Sequence, residues 1–568
     1  MERPVPRSRA SKPKVRTGCI TCKIRRVKCD EGKPACHRCV STGRKCDGYV
    51  QQKQPALGAP RELRQCTTTI TCQESRALEF FFNTTSNTFA GFLEGAFWKR
   101  SVLQFSLAEP CIREALAALG TLHEHEGSRA APDCLTPEFK VAEQWYSRAI
   151  RSTVDKAATG ETAIPIVVTA SILFTCYEFL RRNSSAAASH IASGINILQG
   201  WRRISRPTQQ QEWGKGYASF EAQFMETELA PILTLFNLNA SEFGPFPRNR
   251  LILNAVEGGR PRLPERFETV RQARVSLVDL VTSTTELFQT LDMEVARGNP
   301  PNSQVISAST DLRIKFKLWV TNFEDLVDRA GSSWNKEQQA AASVIKIMQL
   351  GAEMALAAYL LPNECDWDNQ RAAYEEIIRL ADTLVTDSTH YPNGFSKALS
   401  LDLGLIYPLH AVAWKCRYPD LRRKGLGLLL RIARREWLLD AQQYHSIFSR
   451  IMAIEEEPLG LLSNALPPEH VRIHDFFCLP QPWADGDIPT YSITFLTKPY
   501  GLDGPWHFIT EKIHLPTIGA GDIAPSNLIS CKRWASPDTT DPDTANMLKT
   551  TVFGQLGALS GIRLPARR

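Results

Sequence analysis

Cys19-Ile-Thr-Cys22-Lys-Ile-Arg-Arg-Val-Lys-Cys29 is followed, after Asp-Glu-Gly-Lys-Pro-Ala, by Cys36-His-Arg-Cys39-Val-Ser-Thr-Gly-Arg-Lys-Cys46. The spacing Cys-x2-Cys-x6-Cys occurs twice, the second copy offset by 17 residues. Cysteines separated by two residues on a tight turn can aim both sulfurs at one ion, which is chelating spacing. A closed structural zinc site takes four ligands, so six thiolates serve two zinc ions only when two sulfurs are shared. A disulfide framework, or one zinc with two spare thiols, would draw on the same six residues. Residues 1–18 are rich in Arg, Lys and Pro and contain no apolar signal segment, which favours reduced, metal-binding thiols.

Charge gathers around this stretch. Residues 1–53 carry fifteen Lys/Arg against four Asp/Glu, a net of +11, within a chain whose total is +7. The other 515 residues hold 52 basic and 56 acidic groups, a net of −4. A small segment this basic implies a polyanionic partner, double-stranded DNA first of all. Arg3, Arg7, Arg9, Lys12, Lys14 and Arg16 lie among Pro and Ser, which reads as a disordered basic arm over 1–18. The segment after Cys22 can form a short helix held at one end by metal. Ile24 and Val27 are three apart, share a face and are expected to pack inward. Lys23, Arg25, Arg26 and Lys28 are left outside, with the donors that guanine O6 and N7 accept in a major groove.

These residues resemble the fungal Zn(II)2Cys(6) binuclear-cluster transcription factors, in the cysteine spacing, the basic run, Lys33-Pro34 in the connecting loop and the closing Asp47-Gly48-Tyr49. The resemblance implies two structural zinc ions with Cys19 and Cys36 as shared ligands. One ion would take Cys19, Cys22, Cys29 and Cys36, the other Cys36, Cys39, Cys46 and Cys19. It further implies that the end of the first helix enters the major groove and reads a CGG-type, GC-rich triplet. The base-reading positions fall on Arg25 and Arg26, where many members carry lysine, and Lys23 and Lys28 become phosphate contacts. Arg38, Arg44 and Lys45 of the second half would grip the backbone. A nuclear, sequence-specific regulator of RNA polymerase II genes, and not an enzyme, is the expected function.

The expected fold is mainly α: the two-zinc, six-cysteine domain at 19–46, a linker at 47–74, and a large all-α helical domain at 75–476. A β-hairpin extension at 477–516 and a poorly ordered tail at 517–568 would follow, with one short helix near Thr544–Leu556. Helical spacing recurs after Pro110 and at about 185–200, 217–238, 268–297, 310–330, 336–361, 370–387, 397–416, 419–440 and 443–463. This region resembles, by position and texture, the middle regulatory domain that accompanies such clusters. Tyr491–Thr510 reads as two β-rich runs around a Gly/Pro turn. No sustained apolar heptad lies between 47 and 75, so a zipper beside the cluster is not expected. That leaves a single half-site reader, or a homodimer formed through the helical region. No membrane span is evident. The uncharged run Thr162 to Tyr177 reads as a buried helix.

Other chemistry is sparse. Walker A, GxGxxG, HExxH and GxSxG patterns are missing, and Gly425-Leu-Gly427 lies inside a helical pattern. His123-Glu-His125-Glu126 places its imidazoles on different helix faces and reads as a solvated helix end. Asp485-Gly-Asp487 reads as turn material. The nine further cysteines are scattered, as reduced thiols are. Some aromatic residues could line a pocket for a small-molecule effector. An enzyme, or a protein-interaction module, targeted to DNA by an appended cluster is the competing function.

Overall fold

The structure, a computed structural model, describes residues 18–48, 71–91, 95–125, 136–160, 163–205, 219–241, 251–253, 261–296, 303–358, 363–386, 399–400, 404–432, 435–436, 439–460, 465–480 and 490–514. The basic arm, most of the linker, Asp485-Gly-Asp487, the tail and its helix near Thr544–Leu556 lie outside them. The chain divides into two compact units, Met1–Thr71 and Cys72–Arg568. The first contains two short helices, Ile20–Ile24 and His37–Val40. The second is a helical body with three apolar cores.

Its first core runs from the helix Cys72–Phe80 to the helix Ala230–Ser241. Pro110 opens the helix Pro110–Glu124, where a missing amide is harmless. Ile112, Ala115, Leu116, Leu119 and Leu122 are all buried along it, as their spacing requires. Gly120 lets Cys72–Phe80 cross closely: a Cβ there would sit 2.1 Å from the Ala77 carbonyl oxygen. The uncharged run becomes the helix Ile164–Leu180, buried all round from Val168 onward. It ends in a Schellman turn. The amide of Arg182, at φ 62, donates to the Phe179 carbonyl, and the Asn183 amide donates to that of Glu178. Asn183 Oδ1 then accepts from the Ala186 amide, and Ser184–Ser205 follows.

A second core joins the helices Val270–Ala296, Ser303–Ala330 and Lys336–Ala358. The last of these helices is shared. Ala341, Ile345, Ala352 and Leu356 face the second core, while Ala340, Val344, Ile347 and Met354 face the third. By length and composition Lys336–Ala357 could cross a membrane, with a mean hydropathy of 1.3, where no span was expected. Its place between two cores accounts for the apolarity, because a helix covered on two sides needs little polar surface.

The third core contains the expected β-hairpin, Thr490–Thr497 with His507–His514, and differs from the sequence reading in its helix bounds and in further strands. The helices here are Arg371–Thr386, Ile406–Lys415, Pro419–Leu429 and Ala441–Glu456, so the patterns at 397–416 and 419–440 extend too far. Between them a small sheet pairs Leu399–Ser400 parallel with Arg435–Glu436, and that antiparallel with Leu439–Asp440. Strands of two residues have no periodicity to read. Their markers are caps: Glu436 accepts from the amides of Leu405 and Ile406 at 2.7 Å, and Asp440 from those of Gln442 and Gln443. The expected hairpin has a third strand. Ile473–Pro480, Thr490–Thr497 and His507–His514 form an antiparallel meander, with Phe476 opposite Phe495. Ile473, Phe476, Tyr491, Ile493 and Phe495 pack into the helical core, so the sheet is part of the body and not an extension.

Buried ions fasten that sheet to the helices. Glu455 accepts from Arg417 at 2.8 Å, Arg422 at 2.7 Å and the Ile473 amide at 2.8 Å. Glu364 accepts from Lys415 at 2.9 Å and Arg417 at 3.2 Å, and Arg472 grips Asp368 at 2.7 Å. Burial alone would raise the Glu455 carboxyl, but Arg417 and Arg422 outweigh it and hold the group at about 2.

Candidate metal centre and nucleic-acid interface

The first unit is built on sulfur. Cys19, Cys22, Cys36 and Cys39 are its buried side chains among the described residues, with Cys29 and Cys46 half-buried against them. Sulfur–sulfur distances are 3.6 Å for Cys19–Cys36, 3.7 Å for Cys22–Cys36, and 3.8 Å for Cys19–Cys39 and Cys22–Cys39. A tetrahedron of zinc–sulfur bonds of about 2.3 Å has edges of about 3.8 Å, so these sulfurs are spaced as zinc donors are, although this close quartet draws two cysteines from each repeat and is neither of the two expected ligand sets. Cys29 Sγ also lies within 4.8 Å of Cys36 Sγ. Amides aim at the sulfurs: Cys22 N–H at Cys19, and both Cys19 and Glu31 N–H at Cys29. The amides of Cys36 and Gly48 pull the Cys46 thiol down. Burial instead pushes Cys19 up to about 12 and raises Cys22 and Cys36, so cation binding must displace protons.

Two polar clasps, with no local signal in the sequence, complete the frame. The Asp30 carboxylate accepts from the amides of His37 at 2.8 Å and Arg38 at 3.0 Å. It therefore caps the second helix from seven residues upstream, and the amides, Arg38 foremost, lower its pKa. Thr21 Oγ1 donates to Asp47 at 2.8 Å and accepts from the Asp47 amide at 3.0 Å. With Ile20 N–H on the Gly48 carbonyl, this covers the start of the first helix and leaves its C-terminal end open.

That end carries the basic residues. Lys23, Arg26 and Lys28 are exposed and Arg25 is half-buried. The packing expected of Ile24 and Val27 does not occur, since they are 75% and 38% exposed. Two causes are visible. The inner face is filled by Cys19 and Cys22, and the helix stops at Ile24. A Schellman turn follows, with Arg26 N–H on the Lys23 carbonyl and Val27 N–H on that of Cys22. Its left-handed position, usually glycine, is Arg26 at φ 56, and Val27 departs from the helical face.

Residues 17–56 match the family described as the fungal Zn(2)-Cys(6) binuclear cluster domain. The chain carries that domain. Two structural zinc ions are its cofactor, and sulfur donors alone leave no position for an activated water. Over 576 aligned residues the chain is 24% identical to the aspercryptin biosynthesis cluster-specific transcription regulator atnN of Emericella nidulans, covering 80% of this chain and 90% of that protein. It is 30% identical to the transcription regulator lscL of Purpureocillium lilacinum over 33% of this chain and 50% of that one. The transcriptional regulatory protein moc3 of Schizosaccharomyces pombe is 50% identical over 62 residues, 10% of this chain and 12% of its own length. No solved structure matches the chain.

Outside the binuclear cluster, both histidines of the His123-Glu-His125 motif have structural partners. His123 Nδ1 meets Thr85 Oγ1 at 2.9 Å, and His125 Nδ1 meets the Thr121 carbonyl at 2.9 Å. Each imidazole is thus occupied separately. Gly425 lies within a helix, where a Cβ would crowd Val412.

Proposed function

We propose that this protein is a nuclear, sequence-specific regulator of RNA polymerase II transcription, whose zinc cluster reads GC-rich, CGG-type DNA. The observation that carries the reading is the open helix end bearing Lys23, Arg25, Arg26 and Lys28, mounted on a sulfur core that folds on metal. Arg25 and Arg26 donate to guanine edges, while Lys23 and Lys28 meet phosphates. Cys19 and Cys36 are the shared ligands in this reading, and their 3.6 Å separation suits an edge common to two tetrahedra. The atnN similarity covers far more than the cluster, which supports a regulator along most of the chain. Recognition starts from one triplet, and pairing and effector contacts fall to the helical unit, since no heptad repeat follows the cluster.

Selection of binding sites from random duplexes with the full chain tests this. Enrichment of CGG-type triplets that is lost in Arg25→Ala and Arg26→Ala is the expected result. Binding that is equal on all duplexes would remove base reading and leave only phosphate attraction. Single enriched triplets would mean monomeric reading, and paired triplets would place dimerisation in the helical unit.

A further inference from the structure

Arg25 Nη1 donates to Thr42 Oγ1 at 3.3 Å, a contact from the first cysteine repeat to the second. The hydroxyl is itself oriented. It donates to the Arg38 carbonyl at 2.8 Å, with the Cys39 carbonyl 3.1 Å away. Thr42 N–H and Arg44 N–H both donate to the Cys39 carbonyl, and Gly43 N–H donates to that of Val40. Gly43, at φ 65, closes this turn in the left-handed region. The Thr42 backbone is therefore fixed by the turn that follows Cys39, a cysteine of the zinc cluster.

We propose that Thr42 is a positioning residue for base reading: it holds the Arg25 guanidinium so that its remaining donors face the groove. The inference rests on the reading of Arg25 as a base contact. A guanidinium has five N–H donors in a rigid fork, so one can be anchored while others stay available. An unanchored arginine can swing between base edge and phosphate, keeping affinity while losing discrimination. The second repeat then does more than grip the backbone. It sets the aim of the first, and zinc binding at Cys39 is transmitted to the reading head through one hydroxyl. Arg26 has a different support, since its direction is set by the left-handed turn.

The test uses the full zinc-loaded chain, a duplex with one CGG triplet, the same duplex with one guanine replaced by adenine, and a random duplex. Thr42→Val keeps the shape and removes the hydroxyl, and Thr42→Ser keeps the hydroxyl. The CGG-to-mismatch affinity ratio is expected to fall about three- to tenfold in Thr42→Val and to return in Thr42→Ser. Zinc content and random-duplex affinity should stay unchanged. In an Arg25→Ala background, Thr42→Val should have no further effect on the ratio. An unchanged ratio in Thr42→Val overturns the proposal, as does loss of zinc or an equal loss on all three duplexes, which would make Thr42 structural. Wild-type protein that does not distinguish the first two duplexes would overturn the base-reading function itself, a separate outcome.

Discussion

The Arg435 guanidinium donates to the Phe179 carbonyl at 3.0 Å, joining positions 256 residues apart. Both residues are buried, and Phe179 lies in the last turn of its helix, where carbonyls lack partners within the helix. This bond ties the small sheet to the first core. Arg435→Met should lower stability by about 1.5–3 kcal/mol, the range for a hydrogen bond to a charged group, while the carbonyl keeps the Arg182 amide. Urea unfolding followed by both fluorescence and circular dichroism measures it. The midpoint should shift, and the two transitions should stay coincident.

Glu455 offers a sharper contrast. It is fully buried between Arg417 and Arg422, whereas its neighbour Glu456 pairs with Arg423 near solvent. Glu455→Gln should destabilise by about 3–5 kcal/mol, because Arg422 loses its buried carboxylate and Arg417 keeps only Glu364. Glu456→Gln should remain within about 0.5 kcal/mol. Chemical denaturation of the two variants side by side tests the difference.

Glu455 and His410 are two of the groups through which acid acts on this body. The Glu455 carboxyl is lowered to about 2, so its contribution is full above the ordinary carboxylate range and is lost as pH falls through 2. Burial first, with Lys415 nearby, lowers His410 to about 3, among the rings of Tyr407, Trp414, Tyr444 and Phe448. The unfolded imidazole gains a proton below about 6.5, so stability drains away as pH falls from there toward 3. His410→Phe should leave the wild-type midpoint near pH 7 little changed and flatten its decline between pH 6.5 and 4. A decline as steep as wild type would assign the acid sensitivity elsewhere.

Arg26 occupies a backbone position that suits glycine. Arg26→Gly should stabilise the zinc-loaded cluster by about 1 kcal/mol while removing the base contact proposed for Arg26. Arg26→Ala removes the contact and keeps the strain. Both should weaken discrimination at one guanine by about 1–3 kcal/mol, and only the glycine variant should resist chelator longer. Equal affinity losses on specific and random duplexes would mark Arg26 as a phosphate contact.

Metal removal should separate the two units. A zinc chelator, or Cys36→Ala, should abolish the fold of residues 18–48, seen by NMR as loss of dispersed cluster resonances. The helical unit, which has three apolar cores of its own, should keep its circular dichroism spectrum.

The metal centre was legible because chelating spacing is local: each Cys-x2-Cys pair declares itself within four residues. Long amphipathic helices were legible for the same reason, and Ile164–Leu180 follows from its uncharged run. What escaped depends on distant partners. Asp30 caps a helix seven residues away, Glu364 meets Arg417 across 53 residues, and Arg435 meets Phe179 across 256. Ile24 and Val27 were misread because a metal core takes the place of the hydrocarbon core that their spacing implies. Two-residue strands carry no period at all, so the pattern at 419–440 gives no sign of the break before Arg435.

A sulfur core also has a thermal consequence. Unfolding heat capacity grows with the apolar surface exposed, and the first unit buries cysteines while Ile24, Val27 and Val40 already face water. Its stability curve should therefore be nearly flat with temperature, whereas the helical unit follows the usual dome and weakens on cooling as well as on heating. In the cold, the zinc cluster should outlast the helical unit.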